Sequence, residues 1–430
     1  MPATSPSASA PPLARVARGL DALNFFLADV RDGLGPYLAI YLLAVRGPSQ
    51  GWNEATIGLV ITLSAIAGLL AQTPAGALID RSRHKRAIVI AAAVAVTLSC
   101  VLLPFINSFE AVAATQSVAG IAGAIFPPAL AAITLGVVGP RAFSRRIGRN
   151  EAFNHAGNAA SAALAAGMAY LFGPVAVFWI MAALAVASIG AMLMIPARAI
   201  NDDMARGLDA KAEHAHEAPS AWRVLLACRP LLIFAALMAC FHLANAAMLP
   251  TLGQKLSIVV GKDYATSLIA GCIVAAQCVM VPVAVLVGSR ADVWGRKPVF
   301  LAAFGVLALR GVLYTFSDNP AWLLGVQLLD GVGAGIFGAL FPVVVADLTR
   351  RTGHFNVSQG AVATAQGVGA AVSASLAGVV IVEAGYSVAF LMLGGIAAAG
   401  FLGYLLLMPE TAGHATTGTT PPADMEAAPG

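Results

Sequence analysis

Charge is scarce in this chain: only 11% of its 430 residues are Asp, Glu, Lys or Arg, while 59% are hydrophobic. A soluble globular domain carries about 25% charged residues, so an ordinary soluble protein is excluded and a polytopic membrane protein is predicted. Cysteine is scarce as well. The five cysteines (Cys100, Cys228, Cys240, Cys272, Cys278) show no C-x-x-C spacing, which argues against a disulfide framework and a zinc site. They read as small packing residues in or beside apolar segments. A G-x-x-x-x-G-K-[ST] loop is missing, which removes ATP as a direct energy source. Nucleophile–base and metal-ligand spacings are missing too, so no enzyme and no bound cofactor are predicted.

What the chain has in abundance is apolar runs long enough to cross a bilayer. They fall at residues 20–43, 55–79, 87–106, 110–138, 151–171, 175–195, 231–252, 265–288, 298–316, 320–346, 357–382 and 386–408. With the N-terminus cytoplasmic, the inside segments hold 20 of the 25 Lys and Arg residues. The outside loops hold Arg46, Lys255 and Lys262, and two more, Arg31 and Arg310, fall within spans. Basic residues collect on the cytoplasmic side of a membrane protein. The asymmetry therefore predicts a multi-pass protein of the cytoplasmic (inner) membrane with both termini inside. The net charge of +4 is a topology signal, and no nucleic-acid partner is expected. The longest polar stretch divides the chain into a flexible arm (1–19), a six-helix half (20–196), a cytoplasmic linker (197–229), a second six-helix half (230–408) and a flexible tail (409–430). His214 and His216 in the linker read as solvated.

The halves repeat. After span 2 the chain reads Gly76-Ala-Leu-Ile-Asp80-Arg81-Ser-Arg83-His84-Lys85-Arg86, and after span 8 Gly288-Ser-Arg-Ala-Asp292-Val-Trp-Gly295-Arg296-Lys297. Asp80 and Asp292 lie 212 positions apart, as do Gly76 and Gly288. Spans 4 and 10 repeat at nearly the same offset, Gln116 to Phe126 against Gln327 to Phe337. An offset covering an even number of spans predicts two parallel halves about an axis along the membrane normal. The pattern G-x-x-x-D-x-x-G-R-K resembles the loop signature of the major facilitator superfamily. Gly288 to Lys297 matches it fully, and the first copy differs at Arg83. The resemblance implies an all-α membrane protein of about twelve transmembrane helices in two parallel six-helix halves. It further implies that Gly76, Asp80, Arg81, Gly288, Asp292, Gly295 and Arg296 form a gating latch, which Asp347 is placed to join through Arg296. Chain size resembles the drug/proton antiporter branch, although Gln116 stands where that branch carries an Arg.

Polar residues inside the spans are the candidate site. Asp29, Arg31 and Asp32 interrupt the first span, where each mid-membrane charge costs about 2.5–3.5 kcal/mol on insertion scales. At 100° per residue they fan across about 160°, ahead of a Gly33-x-Gly35-Pro36 break that lets a helix unwind. His242 and Asn245 lie on span 7, Gln327 and Asp330 on span 10, and Gln116 on span 4. Two polar stripes, Glu151-Asn154-His155-Asn158-Ser161 and Gln359-Gln366-Ser373, line a cavity or serve helix packing, with packing slightly favoured. Arg310 is expected to reach out to the outer interface. The expected function is proton-driven export of a small organic solute by a monomer, with Asp32 and Asp330 as proton carriers and the lipid bilayer and solute as partners. A proton-coupled importer of an organic anion and a transporter-like sensor that does not translocate are the alternatives.

Overall fold

The computed structural model describes residues 13–32, 36–47, 51–173, 175–208 and 220–412, and among them there are helices and no strand. Helix α1 (Leu13–Asp32) stops before Pro36, where α2 (Pro36–Tyr41) begins and runs into a π-helical turn, Leu42–Arg46. Proline lacks an N–H and suits a first helical position rather than an interior one. Gly33 and Gly35, and the side chain of Asp32, lie outside the described residues, as do His214 and His216.

Helix α3 (Glu54–Arg81) is capped by Asn53, whose Oδ1 accepts from the Thr56 N–H at 3.0 Å, and α4 (Lys85–Val101) returns. Helices α5 (Phe109–Gly123) and α6 (Phe126–Val138) share one span, broken just ahead of Pro127-Pro128, which cannot donate to the preceding turn. Helices α7 (Pro140–Phe172) and α8 (Ala176–Leu193) complete the first half. The short α9 (Asp202–Ala205) lies in the linker. The second half runs through α10 (Ala221–Ala227), α11 (Arg229–Asn245), α12 (Met248–Val260), α13 (Lys262–Trp294), α14 (Arg296–Leu313), α15 (Pro320–Leu348) and α16 (Phe355–Leu407). The last is two spans joined at Gly385, whose φ of +85° only glycine adopts without strain.

Eight of these segments are long and apolar enough to cross a membrane. One of the eight, α16, is long enough for two crossings, and the more polar α1, α7 and α14 pack beside these segments. Large apolar residues such as Leu70, Val186, Val293 and Leu406 are exposed, as lipid contact requires. The buried apolar residues form two clusters, one from Val16 to Ala205 and one mainly from Leu225 to Met408.

The halves meet chiefly along two helix pairs, α3 with α16 and α7 with α13. At the end of the bundle that carries the Arg- and Lys-rich loops (the basic end), glycines let backbones touch. Gly76 packs on Asn356 and Val357, Gly360 on Gln72 and Thr73, and Gly148 on Gly288. On the same four helices, toward the far end, Gly58, Gly167, Gly271 and Gly378 have nothing within 4 Å of where a Cβ would stand.

Candidate functional site

Between the halves lies a cavity of about 680 Å³, lined from both. Its first-half wall is built by α7, where Glu151, Asn154, His155 and Asn158 recur at helical spacing and so share one face. Asn154 Nδ2 donates to Glu151 Oε2 at 3.3 Å, and His155 Nε2 lies 3.9 Å from the same oxygen. His155 Nδ1 sits 2.7 Å from Oε1 of Gln277 on α13, a hydrogen bond from one half to the other. An amide oxygen only accepts, so Nδ1 carries the hydrogen there. Nε2 then faces the Glu151 carboxylate.

Below this wall Arg146 donates from Nε to Asn150 Oδ1 at 2.8 Å, and Asn150 Nδ2 donates to Thr134 Oγ1 at 2.8 Å. Arg146 also reaches Asp21 at 2.7 Å, and Arg149 grips both oxygens of Asp21 at 2.9 and 2.8 Å. Two guanidinium groups thus tie α1 to α7 at the foot of the cavity. The facing wall is aromatic. Phe337 stacks on Phe341 and Phe241, with ring centroids 5.5 and 5.3 Å away, and the His242 ring meets it edge-on at 4.9 Å. His242 Nδ1 is 3.0 Å from the Met238 carbonyl. Gln72 of α3 and Gln359 and Gln366 of α16 close a third side.

Of the residues expected at the site, Arg31, His242 and Asn245 line the cavity. Asp29 is half-buried and is not part of the lining. Three expectations are corrected. Gln116 is buried in helix packing, where its side chain donates to the Ser99 carbonyl at 3.4 Å and its own carbonyl accepts from Ser64 Oγ at 2.7 Å. Gln327 is 1% exposed and accepts from the Tyr314 hydroxyl. Asp330 pairs with Arg310 and accepts from Gln327 Nε2 at 3.3 Å, outside the cavity lining. A fourth correction explains the third: Arg310 is 2% exposed and does not reach the membrane surface. Its guanidinium donates to Asp330, to Asn245 Oδ1 at 2.8 Å and to Met248 Sδ at 3.2 Å. Burying a charge is tolerable when its counter-ion and hydrogen-bond partners are buried with it.

The polar stripes divide. Glu151, Asn154, His155, Asn158, Gln359 and Gln366 line the cavity. Ser373 serves packing: it donates to the Leu243 carbonyl at 2.7 Å and accepts from the Ala247 N–H at 3.0 Å. Sequence reasoning missed Asn24, Gln72 and Gln277 in the lining, and Asp21 beneath it. The signal for each was a polar residue within an apolar run.

At the basic end the repeat residues are ordered differently in the two halves. Gly76 sits in the seam, and Asp80 accepts from the Asn356 N–H at 3.2 Å, from Asn356 Nδ2 at 2.8 Å and from the Val357 N–H at 2.8 Å. These groups form the start of α16, where unpaired N–H groups attract a carboxylate. Arg81 is exposed. In the second half Arg296 pairs with Asp292 at 2.6 Å and with Asp347 at 3.2 Å. Gly295 takes a φ of +88° beside Glu410, whose carboxylate accepts from the N–H groups of Arg296 (2.8 Å) and Lys297 (3.1 Å). Glu410 therefore belongs to the folded body rather than to the flexible tail expected from 409 onward.

The Major Facilitator Superfamily model matches residues 20–290 and 256–426 of this chain. Two uncharacterized MFS-type transporters of Mycobacterium tuberculosis, from strains CDC 1551 / Oshkosh and ATCC 25618 / H37Rv, are each 57% identical over 397 residues, covering 92% of this chain and 94% of the relative. Among solved structures, the human organic anion transporter MFSD10 (TETRAN) aligns with a TM-score of 0.67 at 17% identity, over 92% of this chain and 100% of that one. The proton:xylose symporter XylE aligns with a TM-score of 0.73 at 12% identity, over 93% and 96%.

Proposed function

This chain belongs to the major facilitator superfamily and is a secondary transporter, and from that premise we propose that it exchanges protons for a small organic solute by alternating access. The observation that carries the reading is the Glu151–His155–Gln277 line. A carboxylate and an imidazole share the cavity, and the imidazole is bonded to the opposite half at 2.7 Å. Protonation of His155 Nε2, or of Glu151, changes the charge at the seam between α7 and α13, so proton occupancy and the separation of the halves are coupled. Asp330 is not the coupling group in this reading, because Arg310 occupies it.

The basic end is assigned to the cytoplasm on the distribution of Lys and Arg. The backbones touch there, whereas glycines toward the far end face open space. Both facts support a state open to the outside. A proton arriving from outside then reaches Glu151 and His155 first, and the solute is loaded after the halves rock. Export as the direction rests on the resemblance in size to drug/proton antiporters. The aromatic wall beside His242 suits a solute with an apolar face. Arg31 in the lining favours a second reading, an organic-anion carrier, and MFSD10 is by its name an organic anion transporter.

Reconstitution into liposomes tests this. A panel of neutral, cationic and anionic solutes is screened with and without an imposed pH gradient. Glu151→Gln is expected to abolish gradient-driven movement while leaving solute counterflow in place. If both Glu151→Gln and His155→Gln keep full gradient-driven transport, the coupling assignment is wrong; binding without any counterflow would instead indicate a sensor.

A further inference from the structure

Residues 201–208, the first part of the expected linker, are packed against the basic end. Asn201 donates its N–H to the Gly136 carbonyl at 3.0 Å, and its Oδ1 caps α9 by accepting from the Asp203 and Met204 N–H groups at 3.0 Å each. Gly136 leaves room for this: a Cβ there would stand 2.8 Å from the Asn201 carbonyl oxygen and 3.0 Å from Ala205 Cβ. Asp202 pairs at 2.9 Å with Lys85, whose side chain is 2% exposed and also donates to the Ser82 carbonyl at 2.7 Å. All of these partners are in the first half.

The next three carbonyls face the second half. Ala205 O accepts from Asn356 Nδ2 at 3.0 Å, Arg206 O from the Phe355 N–H at 3.3 Å, and Gly207 O from the Arg351 N–H at 2.7 Å. Together with Asp80, which takes the N–H groups of Asn356 and Val357, they satisfy the first three N–H groups of α16 from outside its own half. A helix start leaves these donors without partners of its own. Arg351, moreover, is held at φ +64°, a left-handed backbone that is costly for a residue with a Cβ. Strain of this kind persists only where surrounding contacts impose it.

We propose that residues 201–208 are a strap, carried on the first half by Lys85 and Gly136, that caps the start of α16 and locks the basic end closed. When the halves part there, the strap stays with the first half, the N–H groups of Phe355 and Arg351 are released to water, and the backbone of Arg351 relaxes. The linker is thereby part of the gate rather than a tether, and the Lys85–Asp202 pair sets how firmly it shuts. The inference uses the alternating-access reading only in that the halves separate at this end, and it needs neither solute nor proton coupling.

The test uses the full chain in nanodiscs, with its cysteines replaced and spin labels at Arg145→Cys and Arg290→Cys, exposed positions on either side of the α7–α13 seam. Asp202→Ala is expected to raise the population with widely separated labels by roughly 5- to 150-fold, the range of typical coupling energies. The exchanged pair Lys85→Asp with Asp202→Lys is expected to restore part of the short-distance population. An unchanged distance distribution in Asp202→Ala overturns the proposal. Hydrogen exchange of the unsubstituted protein provides the second measurement: slow exchange at Arg351 and Phe355 that quickens in Asp202→Ala supports the strap, and fast exchange at both in the parent overturns it. The strap is read from label distances and hydrogen exchange in Asp202→Ala, and the coupling scheme from gradient-driven transport in Glu151→Gln, so failure of the strap and failure of the coupling scheme are separable.

Discussion

Asp330, with its side chain 18% exposed beside the guanidinium of Arg310, shows how one neighbour changes what a charged residue can do. Breaking a buried pair by deleting one partner typically costs about 3–5 kcal/mol, because the other charge is stranded. Arg310→Ala is accordingly expected to lower the thermal unfolding midpoint in detergent by several degrees. Replacing both residues, Arg310→Met with Asp330→Leu, should recover most of the loss. A single variant as stable as the parent would show that the pair is not structural. Asn245 adds a functional consequence. A guanidinium only donates, so Arg310 holds Asn245 by its oxygen and leaves its NH₂ for the cavity it lines. Both residues were visible in the sequence, but their pairing was not, because positions 65 and 20 residues apart from Arg310 meet only when three helices pack.

Helix pairs are the next scale, and glycine decides how closely they approach. A Cβ at Gly288 would stand 2.6 Å from Gly148 Cα, and overpacking of this kind costs about 1–3 kcal/mol. Gly288→Val is therefore expected to shift the labels at positions 145 and 290 toward the separated state by about 5- to 150-fold. Gly271→Ala and Gly378→Ala, with open space around them, should leave the distribution unchanged. Equal effects at all three positions would mean that the basic end is not the contact under compression. The loop pattern pointed to Gly76 and Gly288 as members of a latch, since the motif is local. It did not reveal Gly148 or Gly360, because those glycines matter only through the helix that packs against them. The division of α16 at Gly385 was legible as a gap between apolar runs at 382 and 386.

For the whole molecule, the expectation concerns access to the cavity. Asn158→Cys in a background without native cysteines should react with a membrane-impermeant maleimide faster in intact cells than in inverted vesicles, because the halves touch at the basic end and not beyond it. Faster reaction in inverted vesicles would reverse the assignment of the open side. Membrane residence, the all-helical fold, the two six-helix halves and the Asp80 and Asp292 loops were determined by the sequence alone. They are written in run length, charge placement and a 212-residue repeat, none of which depends on how helices are turned. What the tertiary structure decided is rotation and depth. One residue along a helix turns a side chain by 100°, so the sequence could name polar residues but not their facing. Gln116 and Gln327 were turned into packing, whereas Gln72, Gln277, Glu151 and His155 were turned into the cavity. The linker was decided the same way: nothing in residues 201–208 marks them as packed against the bundle until Lys85, Gly136 and the start of α16 are brought around them.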